Sequence, residues 1–177
     1  MRFLGKLAIA AGLIVGALWI YGTTLPRTHR ATSTITLVAP PEAAYATMRD
    51  MENLPRWWSD VNAVTRIKGA KRESWERDMR GGDPVQVEVT SAISGQRFVT
   101  TFLNDSIQGW GGTWTHDVRL TGAGTEVTLT EEGWIEKPLQ RVMMKIRGGH
   151  HRLLDGYLRS LGAHLGETVS PRHNGTG

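Results

Sequence analysis

The sequence predicts an α+β fold in which a curved antiparallel sheet wraps around a long C-terminal helix, behind an N-terminal transmembrane helix. Three patterns predict it: a charge-free apolar run at Leu7–Pro26, short segments of alternating apolar and polar residues over 62–135, and an amphipathic stretch at Pro138–Glu167. Strands joined by short hairpins argue against a doubly wound parallel sheet. The chain has 177 residues, 40% of them hydrophobic and 21% charged, which is typical of one globular domain with a short extra segment.

The apolar run at Leu7–Pro26 is long enough to cross a membrane, which takes about 20 mostly apolar residues. Trp19 and Tyr21 lie near one end, where aromatic residues meet the membrane interface. We therefore expect residues 1–26 to form a single-pass anchor, with a cleaved signal sequence or a soluble amphipathic helix as alternatives. Basic residues flank both ends of the run, and the short N-terminal tail favours an extracytoplasmic domain.

The folded part is predicted to cover residues 32–167, between a linker at 27–31 and a disordered tail at 168–177. Thr32–Val38 alternates polar and apolar residues, as a half-buried strand does. A helix follows up to Asp50, because two prolines and an acidic residue stand where its first turn begins.

Six further strands are predicted from residues that alternate in polarity with a period of two. Turn-forming residues separate them at Gly81–Pro84, at Ser94–Gly95 and around Gly122, and a loop is predicted at 104–109. The predicted strands cover 62–68, 73–79, 85–90, 98–102, 114–120 and 127–135.

The amphipathic stretch Pro138–Glu167 carries apolar residues at helical spacing, with charged residues between them. It predicts one long helix whose apolar stripe, Leu153 and Leu158 included, faces the sheet. Gly148 and Gly149 interrupt the stretch at a cost of about 1 kcal/mol each relative to alanine, so we expect a kink or a close packing contact there.

Composition excludes several classes of function. Without cysteine the chain has no disulfide, no thiolate nucleophile and no cysteine metal site. The net charge is +4, but Arg2 and Lys6 precede the apolar run, so the rest of the chain carries 19 basic residues against 17 acidic ones. One basic cluster at 68–72 is followed at once by acidic residues, so we expect no nucleic-acid partner.

The stretch from Ala39 to Trp58 resembles the opening of the START-like (SRPBCC) superfamily, in particular its polyketide cyclase/dehydrase and lipid-transport family. Ala39–Tyr45 is similar to the proline-started helix of that family, and Asp50–Trp58 is similar to its Asp-x-x-x-x-Pro-x-Trp motif. The resemblance extends over roughly Arg30 to Glu167 and implies a helix-grip fold. It also implies an apolar ligand such as a sterol, phospholipid, quinone or polyketide, which some members cyclise or dehydrate.

A ligand cavity between sheet and terminal helix would be lined mostly by aromatic and aliphatic side chains. His116 and Glu131 share the apolar parity of their strands and form a candidate acid–base or ligand-orienting pair. A two-residue turn at Gly122 would place His116 opposite Leu129, whereas a four-residue loop would place it opposite Glu131. The predicted ligand-binding residues are Trp57, Trp75, Phe98, Phe102, Trp114, His116, Glu131, Met143, Ile146 and His150.

No cofactor or metal ion is expected from the sequence. His150 and His151 are adjacent, and neighbouring residues on a helix point about 100° apart, so they do not share a metal. Three functions remain open. The first is membrane-anchored binding or transfer of a hydrophobic small molecule such as a lipid, quinone or polyketide-like compound; the second is a cyclase or dehydratase that uses His116 with Glu131. The third is a membrane-surface interaction module with a filled core.

Overall fold

The computed structural model describes residues 2–103 and 109–173, so most of the loop predicted at 104–109 lies outside the described residues. The helices are α1 (Arg2–Thr24), α2 (Pro41–Arg49), a 3₁₀ helix (Met51–Arg56), α3 (Pro138–Ile146) and α4 (His151–His164). The strands are β1 (Thr28–Leu37), β2 (Val61–Arg66), β3 (Ser74–Met79), β4 (Val85–Ile93), β5 (Arg97–Phe102), β6 (Trp110–Thr121), β7 (Gly124–Ile135) and β8 (Arg172–His173).

All eight strands form one antiparallel sheet in the order β2-β3-β4-β5-β6-β7-β1-β8. Its concave face packs on α4 through buried Leu154, Tyr157, Leu158 and Leu161. This is the helix-grip fold that the sequence predicts, and the six strands between 62 and 135 are confirmed.

The predicted linker at 27–31 is wrong, because β1 begins at Thr28 and pairs with β7 along its whole length. The alternation of Thr32–Val38 continues backwards, so that His29 and Ala31 lie on the same face as Ser33. The partner strand β7 holds β1 along its whole length, so β1 extends past the segment in which local pattern is visible.

The predicted single long terminal helix is two helices. Gly148 and Gly149 adopt positive φ of 101° and 72°, a conformation that ends a helix and that glycine takes without a steric penalty. The apolar residues of α4 are not equally buried. Leu158 is fully buried against the sheet, whereas Leu153 lines a cavity and is 38% exposed, so the expectation that both pack on the sheet is wrong for Leu153.

The C-terminal tail predicted to be disordered is ordered as far as His173. The Glu167 carboxylate accepts hydrogen bonds from the backbone N–H groups of Val38 and Ala39, at 2.7 and 2.8 Å. Beyond it, β8 pairs with β1, and His173 Nε2 lies 3.0 Å from Asp155 Oδ2. These are long-range partners that the local composition of the tail does not indicate.

Helix α1 is long and apolar enough to cross a membrane or to serve as a signal sequence. Its C-terminal end packs on α3: Gly22 lies so close to Pro138 that a Cβ at Gly22 would stand 2.4 Å from the Pro138 carbonyl oxygen. Lys145 Nζ donates to the Tyr21 hydroxyl at 3.0 Å. Arg141 Nη1 donates to the carbonyl of Leu25, just after α1, at 2.6 Å.

Candidate functional site

An internal cavity of about 450 Å³ lies between the concave face of the sheet and the junction of α3 with α4. Its walls are mostly apolar, and β1, β3–β7, α3 and α4 all contribute to them. A depression of about 550 Å³ on the outer face of the sheet is lined by surface ion pairs such as Arg97 with Asp117. We take the internal cavity as the candidate site, because polar groups converge there on a mostly apolar space. Its principal lining residues are His29, Trp58, Arg77, Phe102, Trp110, Trp114, Glu131, Met143, Met144, His150 and Leu153.

Half of the predicted ligand-binding residues do line this cavity. They come from β5, β6, β7, α3 and the α3–α4 junction, and their role in binding stays a prediction. These residues are Phe102, Trp114, Glu131, Met143 and His150.

The other predicted residues do not line the cavity, which corrects the expectation for them. Trp57, Trp75 and Phe98 are buried in the packed core. Ile146 is 68% exposed at the end of α3, because the glycine break turns this helix away from the sheet.

His116 is buried, as its strand parity predicts, but it does not meet Glu131. The two-residue turn is the one that forms, with Thr121 paired to Gly124, so His116 stands opposite Leu129 and Trp114 opposite Glu131. The His116 ring stacks on Phe98 with ring centres 4.0 Å apart. Burial, aided by the positive charge of Arg77, lowers the pKa of His116 to about 3. The predicted acid–base pair is therefore wrong, and His116 is a neutral core residue.

Arg77 is a buried cationic group of the cavity wall, which also includes the exposed Arg147, and sequence analysis missed it. Its side chain is buried, and burial lowers its pKa to about 10. Among the described residues no carboxylate forms an ion pair with it; Nη2 reaches only the Met51 sulfur, at 3.6 Å, and the guanidinium lies 6.0 Å from the centre of the Trp58 ring. The alternation of Trp75 and Arg77 in β3 was the available signal, since it places both on one face.

Several N–H donors of the cavity wall lack an acceptor among the described residues. They are Nε of Arg77 and the indole nitrogens of Trp58 and Trp114. Buried donors are paired in nearly all folded proteins, and an unpaired one costs about 1–3 kcal/mol. The residues that carry these donors line a mostly apolar space. The three nitrogen atoms themselves are closed off from solvent, so an acceptor atom of a ligand reaches them only when the side chains move.

Glu131 meets two histidines rather than His116. Its Oε1 lies 2.9 Å from Nε2 of His29 and 3.7 Å from Nδ1 of His150. The two imidazoles stack on each other with ring centres 3.4 Å apart and planes 14° from parallel. Burial raises the pKa of Glu131, but the imidazoles of His150 and His29 outweigh burial, so its pKa lies below the usual range.

His29 could not be assigned to the site from the sequence, because it fell in the predicted linker. In the structure it stands opposite Gly133 in the pairing of β1 with β7. A Cβ at Gly133 would lie 2.9 Å from Cε1 of His29 and 2.6 Å from the carbonyl oxygen of Gly111. The glycine thus leaves the space that the His29 imidazole occupies beside Glu131.

Residues 28–166 match the family described as polyketide cyclase / dehydrase and lipid transport. Among curated proteins the sequence has no significant match. Solved structures show the same fold at low sequence identity. The di-domain ARO/CYC protein StfQ of the steffimycin biosynthetic pathway has a TM-score of 0.64 and 11% identity over 77% of this chain, which spans 50% of StfQ.

Two further structures are similar to the same extent. Truncated norcoclaurine synthase from Thalictrum flavum has a TM-score of 0.62 and 9% identity, with 78% of this chain and 93% of that chain covered. The Zhui aromatase/cyclase from Streptomyces sp. R1128 has a TM-score of 0.60 and 10% identity, with 76% and 91% covered. At such identities these likenesses show the shared fold alone.

Proposed function

This chain belongs to the polyketide cyclase / dehydrase and lipid transport family, and from that premise we propose that it binds a hydrophobic small molecule in the internal cavity. A hydrogen-bond-accepting or anionic end of that molecule is held against Arg77. Members of the family bind hydrophobic ligands, and a lipid, quinone or polyketide-like compound combines a large apolar body with a few oxygen atoms.

The observation that carries this proposal is the buried guanidinium of Arg77 without a carboxylate partner among the described residues. A buried charge without compensation costs several kcal/mol, so folded proteins retain one where it serves a ligand or a specific contact. A ligand oxygen at this position would accept from Arg77 and from the indole N–H of Trp58 or Trp114.

The size and walls of the cavity support the same ligand class. Its volume of about 450 Å³ falls within the range of roughly 300–1,000 Å³ typical of small-molecule sites. An open cavity of this size also argues against an interaction module with a filled core.

We propose that α1 holds the domain at a membrane, on its extracytoplasmic side. Leu139, Met143 and Ile146 of α3 are exposed beside the end of α1, and Met143 also lines the cavity. Apolar side chains in this position are suited to the bilayer interface. An apolar ligand would then pass between bilayer and cavity along α3 without crossing bulk water.

Replacing Arg77 with methionine tests the ligand-binding proposal. Native mass spectrometry of the full chain, released from detergent micelles, is used to compare binding of oleate with that of its methyl ester. We expect wild type to prefer oleate by about 10–100-fold, the range that a charge-assisted hydrogen bond supplies. Arg77→Met should bind both probes equally, because methionine fills similar space without charge.

The matched control is Arg97→Met, which removes a half-exposed arginine from the outer face of the sheet. It should keep the preference for oleate. Equal binding of the two probes by wild type, or an unchanged preference in a folded Arg77→Met protein, would contradict the proposed role of Arg77.

A cyclase or dehydratase is the second candidate function. One observation favours it: a carboxylate and two imidazoles, from Glu131, His29 and His150, lie together on the wall of the cavity. Such groups can transfer protons to and from a bound substrate. An enzyme would change the mass of its ligand during incubation, by loss of water for a dehydration, whereas a binding protein would release the ligand unchanged.

A further inference from the structure

The side chains of His29, Glu131 and His150 converge at one point of the cavity wall. One ligand atom from each of the three lies within 4.8 Å of the other two. Both imidazoles present a nitrogen to the same carboxylate oxygen, at 2.9 and 3.7 Å. The three side chains come from β1, β7 and the α3–α4 junction, so the tertiary fold alone brings them together.

We propose that His29, Glu131 and His150 form a binding site for a divalent transition metal ion, with Zn²⁺ as the best fit. Two imidazoles and a carboxylate are a donor set that zinc accepts. Zinc binds such atoms at about 2.0–2.2 Å, which sets tetrahedral ligand atoms about 3.3 Å apart. The two observed separations from Glu131 lie on either side of that value. The lone pair of an imidazole nitrogen lies in the ring plane, so the two stacked rings must tilt out of their stack to direct both lone pairs at one ion.

The surroundings of the three side chains support this assignment. Nδ1 of His150 is inaccessible to solvent and has no hydrogen-bond partner among the described residues, although it points toward Glu131. The stacked rings, 3.4 Å apart, would repel each other if both were protonated. A metal ion at this point would be coordinated by one nitrogen of each neutral ring and by the Glu131 carboxylate.

Gly133 provides the space for this arrangement, since any side chain there would overlap the His29 ring. All three ligands also line the cavity, so a metal ion held by them keeps a coordination position that faces the cavity. Three protein ligands with an open position are typical of catalytic zinc sites rather than closed structural ones. The metal site does not depend on the ligand proposed above, and a cavity-facing ion would bind an oxygen donor.

Titration of the metal-free full chain with Co²⁺ tests the proposal. The protein in detergent is stripped with a chelator, dialysed, and followed by the visible absorption of bound Co²⁺, with Zn²⁺ as competitor. We expect one ion per chain, displaced by Zn²⁺. His29→Gln and Glu131→Gln should each weaken binding by more than the roughly 10–100-fold that loss of an outer-shell contact costs.

Matched controls come from a second histidine pair. His151 and His173 also stack, with ring centres 4.0 Å apart, near Asp155. His151→Gln and His173→Gln should leave Co²⁺ affinity unchanged. Loss of binding in these variants, with binding retained in His29→Gln, would overturn the assignment, and so would the absence of Co²⁺ binding to wild type.

A measurement on wild type tests the metal site without any substituted protein, so it is independent of whether the variants fold. Diethyl pyrocarbonate modifies accessible imidazoles, and the modified positions are mapped by mass spectrometry. Zn²⁺ should slow modification of His29 and His150 while His173, which is 46% exposed, reacts at the same rate. Equal rates with and without Zn²⁺ at all three positions would overturn the proposal. Failure of the oleate experiment would leave this result unaffected.

Discussion

At the scale of single residues, His116 carries a burial cost that depends on pH. The folded protein holds its imidazole neutral, with a pKa of about 3, whereas an unfolded chain has the usual value of 6.5. Between pH 3 and pH 6.5 the imidazole of His116 binds a proton in the unfolded state but not in the folded state. The stability that a neutral His116 contributes is therefore fully present above pH 6.5 and is lost as the pH falls toward 3.

We predict that His116→Phe reduces the acid sensitivity of the fold. Phenylalanine has a similar shape and keeps the stack on Phe98. Between pH 7 and pH 5 the free energy of unfolding of wild type should fall by about 2 kcal/mol more than that of the variant, at about 1.4 kcal/mol per pH unit below 6.5. Urea denaturation at both pH values measures the difference.

His164→Gln is the control, because His164 lies exposed on α4. It should follow wild type at both pH values. Parallel losses of stability in wild type and in His116→Phe would show that His116 is protonated to the same extent in the folded and unfolded states.

At the scale of elements, α4 is the helix that the sheet grips, and its two faces differ sharply. Leu158 is fully buried against the sheet, whereas Leu153 is 38% exposed at the cavity mouth. Both lie on α4 and belong to one apolar stripe in the sequence. Five positions at about 100° per residue set their side chains roughly 140° apart around the helix axis, so only Leu158 points into the packed core. The same substitution at the two positions therefore shows how much the packing of α4 on the sheet contributes to the stability of the fold.

We predict that Leu158→Asp prevents folding while Leu153→Asp is tolerated. A buried carboxylate without a partner costs at least 3–5 kcal/mol, or about half of a typical folding free energy. Leu158→Ala, which leaves a cavity, should cost about 2–5 kcal/mol and still fold. Thermal melts followed by circular dichroism measure all three variants. Equal melting temperatures for the two aspartate variants would refute the packing of α4 on the sheet.

At the scale of the whole molecule, the end of α1 is joined to the wall of the cavity through α3. Tyr21, Gly22 and Leu25 all contact α3. Cleavage as a signal sequence near Thr23 would remove the first two of these contacts. The packing therefore favours an uncleaved anchor over a signal that is removed.

We predict that the full chain stays in the membrane fraction after an alkaline carbonate wash, whereas a chain that starts at Pro26 is released. The new start must precede Thr28, because β1 begins there. Immunoblotting of pellet and supernatant measures the partition, and N-terminal sequencing of the purified full chain is the control. A mature chain that starts near Thr23 would instead establish a cleaved signal sequence.

The sequence by itself determined the elements whose patterns are local. The alternation of Val85, Val87 and Val89 predicted β4. The helical spacing of Val142, Leu154 and Leu158 predicted one terminal helix, which the structure divides into α3 and α4. A side chain's periodicity reports which face of its own element it occupies, and both periods are visible within a few residues. The family motif at 39–58 added the helix-grip topology.

Only the tertiary structure decided which polar groups share the cavity. His29 and Glu131 are 102 positions apart, and the contact between them depends on the register of β1 against β7. The length of the turn between β6 and β7, which local pattern left open, set Trp114 rather than His116 opposite Glu131. Local pattern did not set Arg77 apart from the other arginines. The fold buries it with its guanidinium 6.0 Å from the centre of the Trp58 ring. A functional site of this kind is set by register and packing between elements distant in the chain, because these decide where the ends of the side chains meet.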